Sequence, residues 1–173
     1  SEIINTKTPP SFNAALHEPF SQAVMTDFNQ PIGFEWLYLR NPNPFNYSTT
    51  EREGYMRLKG AAASLFDLGS PTMIARRQQH FDFTASTSID FNPKQSNEEA
   101  GLTIMMDNRF HYDVFISQVN GKRVINLRYT LDALNQVLRQ IPLPDGAIEI
   151  MIKGDKKMYS FYYKTSNGKA LEI

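Results

Sequence analysis

Residues 147–169 read AIEIMIKGDKKMYSFYYKTSNGK. Ile148, Ile150 and Ile152 alternate with their neighbours, which is the period-two spacing of a strand with one buried face. Gly154 and Asp155 then supply a turn, and Tyr159, Phe161 and Tyr163 alternate back. The stretch predicts a β-hairpin whose two strands present apolar side chains to one side.

The same pattern extends upstream. GLTIMM and RFHYDVFISQV read as strands joined by Asp107-Asn108. Asn120-Gly121 is the strongest two-residue hairpin signal, because both residues tolerate positive φ, and RVINLRY follows it. EWLYLR, YSTT, YMRLKG and TASTSIDF are further strand candidates, separated by the Pro-rich NPNPFN loop, an EREG turn and the polar loop NPKQSNEEAG. AAASLFDLGSP fits either a loop or a short helical turn. LDALNQVLRQIPL fits two periods, since Leu131, Leu134 and Leu138 share a helical face while Val137, Arg139 and Ile141 suit a strand. Its neighbours are all β and IPLPDG offers no helix cap, so a loop followed by a strand is expected. Nine or ten short strands without a confident long helix predict an all-β fold, an antiparallel sandwich or barrel. No fixed-period repeat supports a propeller or solenoid. The opening SEIINTKTPPSFNAALHEPF carries Pro9, Pro10 and Pro19 and reads as a linker or arm over residues 1–24, with one β-domain over 25–173.

Composition narrows the function. The chain has 173 residues, with Lys+Arg and Asp+Glu both 18, hence a net charge of +0. That balance argues against a nucleic-acid partner and against attachment to an anionic membrane. No run approaches the ~18 apolar residues that span a bilayer. Cysteine is absent, which removes disulfides, thiolate metal sites and a cysteine nucleophile. Aromatic residues make up 12%, in keeping with β structure.

The search for chemistry returns no catalytic residues, no metal site and no cofactor. His17, His80 and His111 have no metal-ligand spacing, and neither a Gly-x-Ser-x-Gly elbow nor a phosphate-cradling loop occurs. Sugar cleavage needs two carboxyls flanking the bond. Asp27, Asp67, Asp82 and Asp90 are scattered, and no strand carries such a pair. Sugar binding needs only an aromatic platform and planar polar groups. Trp36, Tyr38 and Tyr55 offer the first, although a single Trp in a small β-domain is more often a core residue. The second comes from Met73–Phe83, MIARRQQHFDF. Read as a strand, it places Arg77 and Gln79 on the face of Phe81 and Phe83, which makes Arg77 the inward arginine and the costlier one to remove. Arg76, Gln78 and His80 then line a groove on the other face, suited to sugar hydroxyls or a partner's carboxylates.

Four blocks carry a resemblance: DFNQPIGFEWLYLRNP, TEREGYMRLKG, IARRQQHFDFTASTSIDFNP and EEAGLTIMMDNRFHYDV. In this order they resemble the C-terminal β-sandwich domain of family 43 glycoside hydrolases, mainly β-xylosidases and α-L-arabinofuranosidases. The resemblance implies a concanavalin-like jelly roll packed on a five-bladed propeller that carries the catalytic carboxyls. It implies an accessory domain that is not itself an enzyme but belongs to one, with that propeller as partner and xylo- or arabino-oligosaccharides nearby. The family domain runs on past the YSFYY strand, so the resemblance also implies a fragment or a lost closing strand. An edge left unpaired in this way would favour homo-oligomers. Two other readings stand beside it: a free-standing carbohydrate-binding module, and an autonomous β-sandwich glycanase.

Overall fold

The computed structural model describes residues 23–166 and 168–173. The expected arm lies outside them except for its last two residues. Twelve strands follow in order: β1 (Leu37–Tyr38), β2 (Tyr47–Ser48), β3 (Arg57–Leu58), β4 (Ile74–Ala75), β5 (Phe83–Ile89), β6 (Ala100–Asp107), β7 (Phe110–Val119), β8 (Lys122–Leu131), β9 (Leu134–Pro142), β10 (Ile148–Gly154), β11 (Tyr159–Thr165) and β12 (Leu171–Glu172). The long strands, with the two-residue β12 at one edge, form two four-stranded antiparallel sheets, β6-β7-β8-β9 and β12-β11-β10-β5.

The two sheets face each other across one apolar core. Val114 and Ile116 of β7 and Ile125 and Leu127 of β8 meet Ile148, Ile150 and Ile152 of β10 and Phe161 and Tyr163 of β11. The isoleucine alternation of residues 148–152 therefore faces inward, as its period requires. Each such side chain contributes about 1.5–3 kcal/mol when fully buried. In the hairpin Ile150 pairs with Tyr163 and Ile152 with Phe161. Asp155 closes its turn: Oδ1 accepts the backbone N–H of Lys157 at 2.6 Å and of Met158 at 3.0 Å.

The turns between the long strands are tight. Asn120 and Gly121 adopt φ of 51° and 76°, the mirror-image turn that suits the right-handed twist of the flanking strands. Asp132, at φ 57°, opens the two-residue turn from β8 to β9, so LDALNQVLRQIPL is a hairpin turn and a strand. Leu131 and Leu134 face each other across that turn instead of stacking along a helix. The β6–β7 turn falls one residue later than expected, on Asn108 and Arg109, because Asp107 Oδ1 accepts the N–H groups of Arg109 and Phe110 at 2.7 and 3.0 Å.

The described region before β5 differs more from the sequence reading. EWLYLR and YMRLKG keep only two paired residues each, β1 and β3, and NPNPFN tightens into a single 3-10 turn over Pro44–Asn46. AAASLFDLGSP is irregular. Met73–Phe83 is not one strand: Ile74 and Ala75 pair with Tyr38 and Leu37, the ladder then stops, and β5 begins at Phe83. Residues 76–80 are polar on both faces, so neither face gains by burial against a sheet. Arg76 and Arg77 are both exposed, which corrects the inward placement of Arg77. Side chains anchor this region instead. Arg40 Nη1 donates to the carbonyls of Asp67 and Gly69, and Asn108 Nδ2 donates to the Phe66 carbonyl at 3.0 Å.

Gly101 of β6 tests the register of this sandwich. A Cβ there would collide with the Val114 carbonyl oxygen and lie 2.6 Å from Phe115 Cα. Gly101→Ala is expected to destabilise the fold by about 1–3 kcal/mol through overpacking. Gly60→Ala, where a Cβ meets nothing within 4 Å, should leave stability nearly unchanged. Urea unfolding midpoints of the two variants compare them, and equal midpoints would contradict the β6–β7 approach.

Candidate functional site

The sequence-predicted site residues do not form one groove. Arg76 places its guanidinium carbon 5.5 Å from the Trp36 ring centre, and Trp36 leans on Phe28 at 5.8 Å. Trp36 is half-buried and stands outside the apolar core, contrary to the expectation of a core tryptophan. Tyr38 turns edge-on to Tyr47 at 4.9 Å, and the Tyr47 hydroxyl accepts the Met73 N–H at 3.0 Å. Gln78 Nε2 donates to the His80 carbonyl at 2.8 Å, while its Oε1 accepts the Tyr159 hydroxyl at 3.4 Å. The structure therefore joins Arg76 to Trp36, sends Tyr38 to Tyr47 and links Gln78 to β11.

Tyr159 lines an open cleft of about 430 Å³ beside the β10–β11 turn. Its walls are Tyr112, Tyr129, Tyr159 and Phe161, with Phe81 at the mouth. Tyr112 is the hub: it meets Tyr129 edge-on at 4.8 Å and approaches Tyr159 at 6.0 Å and Phe161 at 6.3 Å. Asp155, Lys156 and Lys157 of the turn form its rim. The sequence reading did not find this site. Its signal was present in the alternation of Tyr159 with Phe161, but the partners come from register, which sets Tyr112 opposite Tyr129.

The outward face of the β6–β9 sheet holds a buried polar network that the sequence reading also missed. Thr103, Asp113 and Arg128 lie side by side across β6, β7 and β8. Asp113 and His111 are only 3% and 2% exposed. His111 Nδ1 lies 2.8 Å from Asp113 Oδ1, Thr103 Oγ1 donates to the same oxygen at 2.8 Å, and Arg128 Nε donates to Oδ2 at 3.0 Å. Arg128 extends the chain to Glu99 at 3.1 Å. Burial pushes the Asp113 carboxyl up, but the hydrogen bond and charge of His111, the Thr103 hydroxyl and the Arg128 charge outweigh it and hold its pKa below the ordinary carboxylate value. A second row continues the face: Gln140 Nε2 donates to Asn126 Oδ1, and Asn126 Nδ2 to Ser117 Oγ, both at 2.9 Å. His111 sits on the face opposite Tyr112, and among the described residues no cluster of His, Asp or Glu could hold a metal. The network ties β6, β7 and β8 together through the Asp113 carboxylate, while His111 Nε2 is buried without a hydrogen-bond partner.

A two-layer antiparallel sandwich of this kind is a concanavalin-like β-sandwich. The family model described as the β-xylosidase C-terminal concanavalin A-like domain matches residues 25–173, and the chain belongs to that family. It is 36% identical over 162 residues to a non-reducing end α-L-arabinofuranosidase, BoGH43B, of Bacteroides ovatus, covering 92% of this chain and 30% of the relative. It is 26% identical to a xylosidase/arabinosidase of Butyrivibrio fibrisolvens, covering 88% and 28% of the two chains. Among solved structures it superposes on the Bacteroides ovatus xyloglucan PUL GH43B with a TM-score of 0.82 at 36% identity, covering 95% of this chain and 32% of that one. A xylan β-1,4-xylosidase from Bacillus halodurans C-125 gives 0.83 at 25% identity, with 96% and 33% covered. The chain thus spans about a third of the length of the proteins it matches. Among the described residues no helix is long and apolar enough to cross a membrane.

Two measurements follow from this geometry. Asp113→Asn should lower stability by about 3 kcal/mol at neutral pH, because it leaves Arg128 and His111 without their carboxylate. A depressed folded-state pKa stabilises above the unfolded value near about 4, and that contribution is lost as pH falls through the folded pKa. The gap between parent and variant should therefore close below about pH 4, and urea unfolding at two pH values reads it. Separately, Arg76→Ala should cost about 0.5–1 kcal/mol through its lost contact with Trp36, and Arg77→Ala close to nothing. A larger loss for Arg77→Ala in thermal unfolding would reverse that assignment.

Proposed function

We propose that this chain is the accessory domain of a xylan- or arabinan-degrading glycoside hydrolase, and that it docks on a catalytic propeller of the same polypeptide and shapes its active site. One observation carries the docking. Met25, Phe34, Phe45 and Leu68, all upstream of β4, are 91%, 106%, 83% and 82% exposed. Large apolar side chains left this open in number favour burial against a partner. The exposed Arg76 and His80, together with Trp36 and Tyr38, supply hydrogen-bonding and stacking groups for the same interface, while Gln78 is turned toward Tyr159. The propeller provides the acid and base, because the one carboxyl at the end cavity, Asp155, is committed to its turn. The match to about a third of arabinofuranosidase and xylosidase chains supports the division of labour. Residues 1–24 serve as the linker that follows the last blade.

The test uses the reading frame upstream of Ser1. A propeller encoded there, expressed as a separate polypeptide, should co-purify with the 173-residue chain. The Phe34→Asp and Leu68→Asp variants should weaken that association about tenfold or more. The chain alone should release no nitrophenol from aryl xylosides or arabinosides. Hydrolysis by the chain alone, or an upstream frame without a propeller, would overturn the reading.

A further inference from the structure

The end cavity has the features of a ligand site. It is an open cleft of about 430 Å³, within the size range of small-molecule sites. Three of its walls are tyrosines, each with an apolar ring and a hydroxyl at its tip, and Tyr112, Tyr129 and Tyr159 are all partly accessible. Gln78 adds a planar amide beside the Tyr159 hydroxyl. On the rim stand Lys156 and Lys157, both exposed, and among the described residues neither pairs with a carboxylate. Asp155, the acid beside them, is held by the N–H groups of Lys157 and Met158.

The combination is specific in chemical terms. The aliphatic C–H face of a pyranose packs on aromatic rings, and its hydroxyls exchange hydrogen bonds with phenols and amides. Two ammonium groups at the mouth attract a carboxylate. We propose that this cavity binds an acidic sugar, a pyranose carrying a carboxylate, such as a uronic acid residue. None of Met25, Phe34, Phe45 or Leu68 lines the cavity, so the site stands apart from the docking surface.

Calorimetry of the 173-residue chain with D-glucuronate, glucuronosyl-xylobiose and xylobiose tests this. Both acidic probes should bind, and xylobiose about tenfold more weakly, the factor expected of one charge-assisted hydrogen bond. Raising the salt concentration should reduce the difference. Lys156→Ala with Lys157→Ala should bring the acidic probes down to the xylobiose level. Both side chains are exposed on a turn, so the fold and the propeller association should persist. Tyr129→Phe, which keeps the ring, should weaken all three probes at an unchanged melting temperature. No binding of either acidic probe, equal binding of the neutral one, or indifference to the lysine substitutions would overturn the proposal. The propeller association, measured on the same double variant, keeps that failure distinct from a failure of docking.

Discussion

Strands β7 and β8 are buried on both faces, and the rest of the domain is arranged around that constraint. One face meets β10 and β11 through isoleucine, valine and leucine, which any strand of the right period supplies. The other face carries the Asp113 carboxylate at 3% exposure. A buried carboxylate is tolerated only when its oxygens are filled and its charge is balanced. Thr103, His111 and Arg128 meet that demand from three adjacent strands; His111 shares β7 with Asp113, while Thr103 and Arg128 reach it only in the observed register. A shift of one residue would turn Asp113 into the apolar core and Val114 out of it. The ionic contacts thus specify pairing, while the apolar core supplies most of the stabilisation.

The same register builds the end cavity. With Asp113 opposite Arg128, Tyr112 necessarily faces Tyr129 on the core side. The β10–β11 hairpin then brings Tyr159 and Phe161 against that pair from the other sheet. Four aromatic groups from three strands converge beside the β10–β11 turn. The cavity is a consequence of how two independently specified hairpins meet.

The architecture was legible in the sequence wherever a local signal sufficed. The alternation of Ile148, Ile150 and Ile152, the Asn120-Gly121 turn and the β context of Leu134–Pro142 all led to the right elements. Local signals failed where side chains were polar on both faces. Arg76–His80 looked like a strand because its neighbours alternate, yet nothing about its two faces favoured burial, and the ladder ends at Ala75. Trp36 was expected in the core on composition, whereas only the tertiary structure could place it beside Phe28 and Arg76. The Asp113 network and the tyrosine cavity depend on pairings between strands, which no single stretch records. The resemblance supplied the sandwich and the family, and could say nothing of either.

The irregular segment between β4 and β5 takes on a clearer meaning in this light. At one end Arg76 covers Trp36, which leans on Phe28. At the other, Gln78 reaches Tyr159 and Phe81 stands at the cavity mouth, 69% exposed. Had the ladder run unbroken from Ile74 to Ile89, strand alternation would have placed Arg76 and Gln78 on one face and Phe81 on the other. Breaking the ladder removes that rule and lets neighbouring residues serve two different surfaces. A polar stretch that gains nothing from a sheet is therefore suited to run between a docking face and a pocket, and its composition is the physical reason it can.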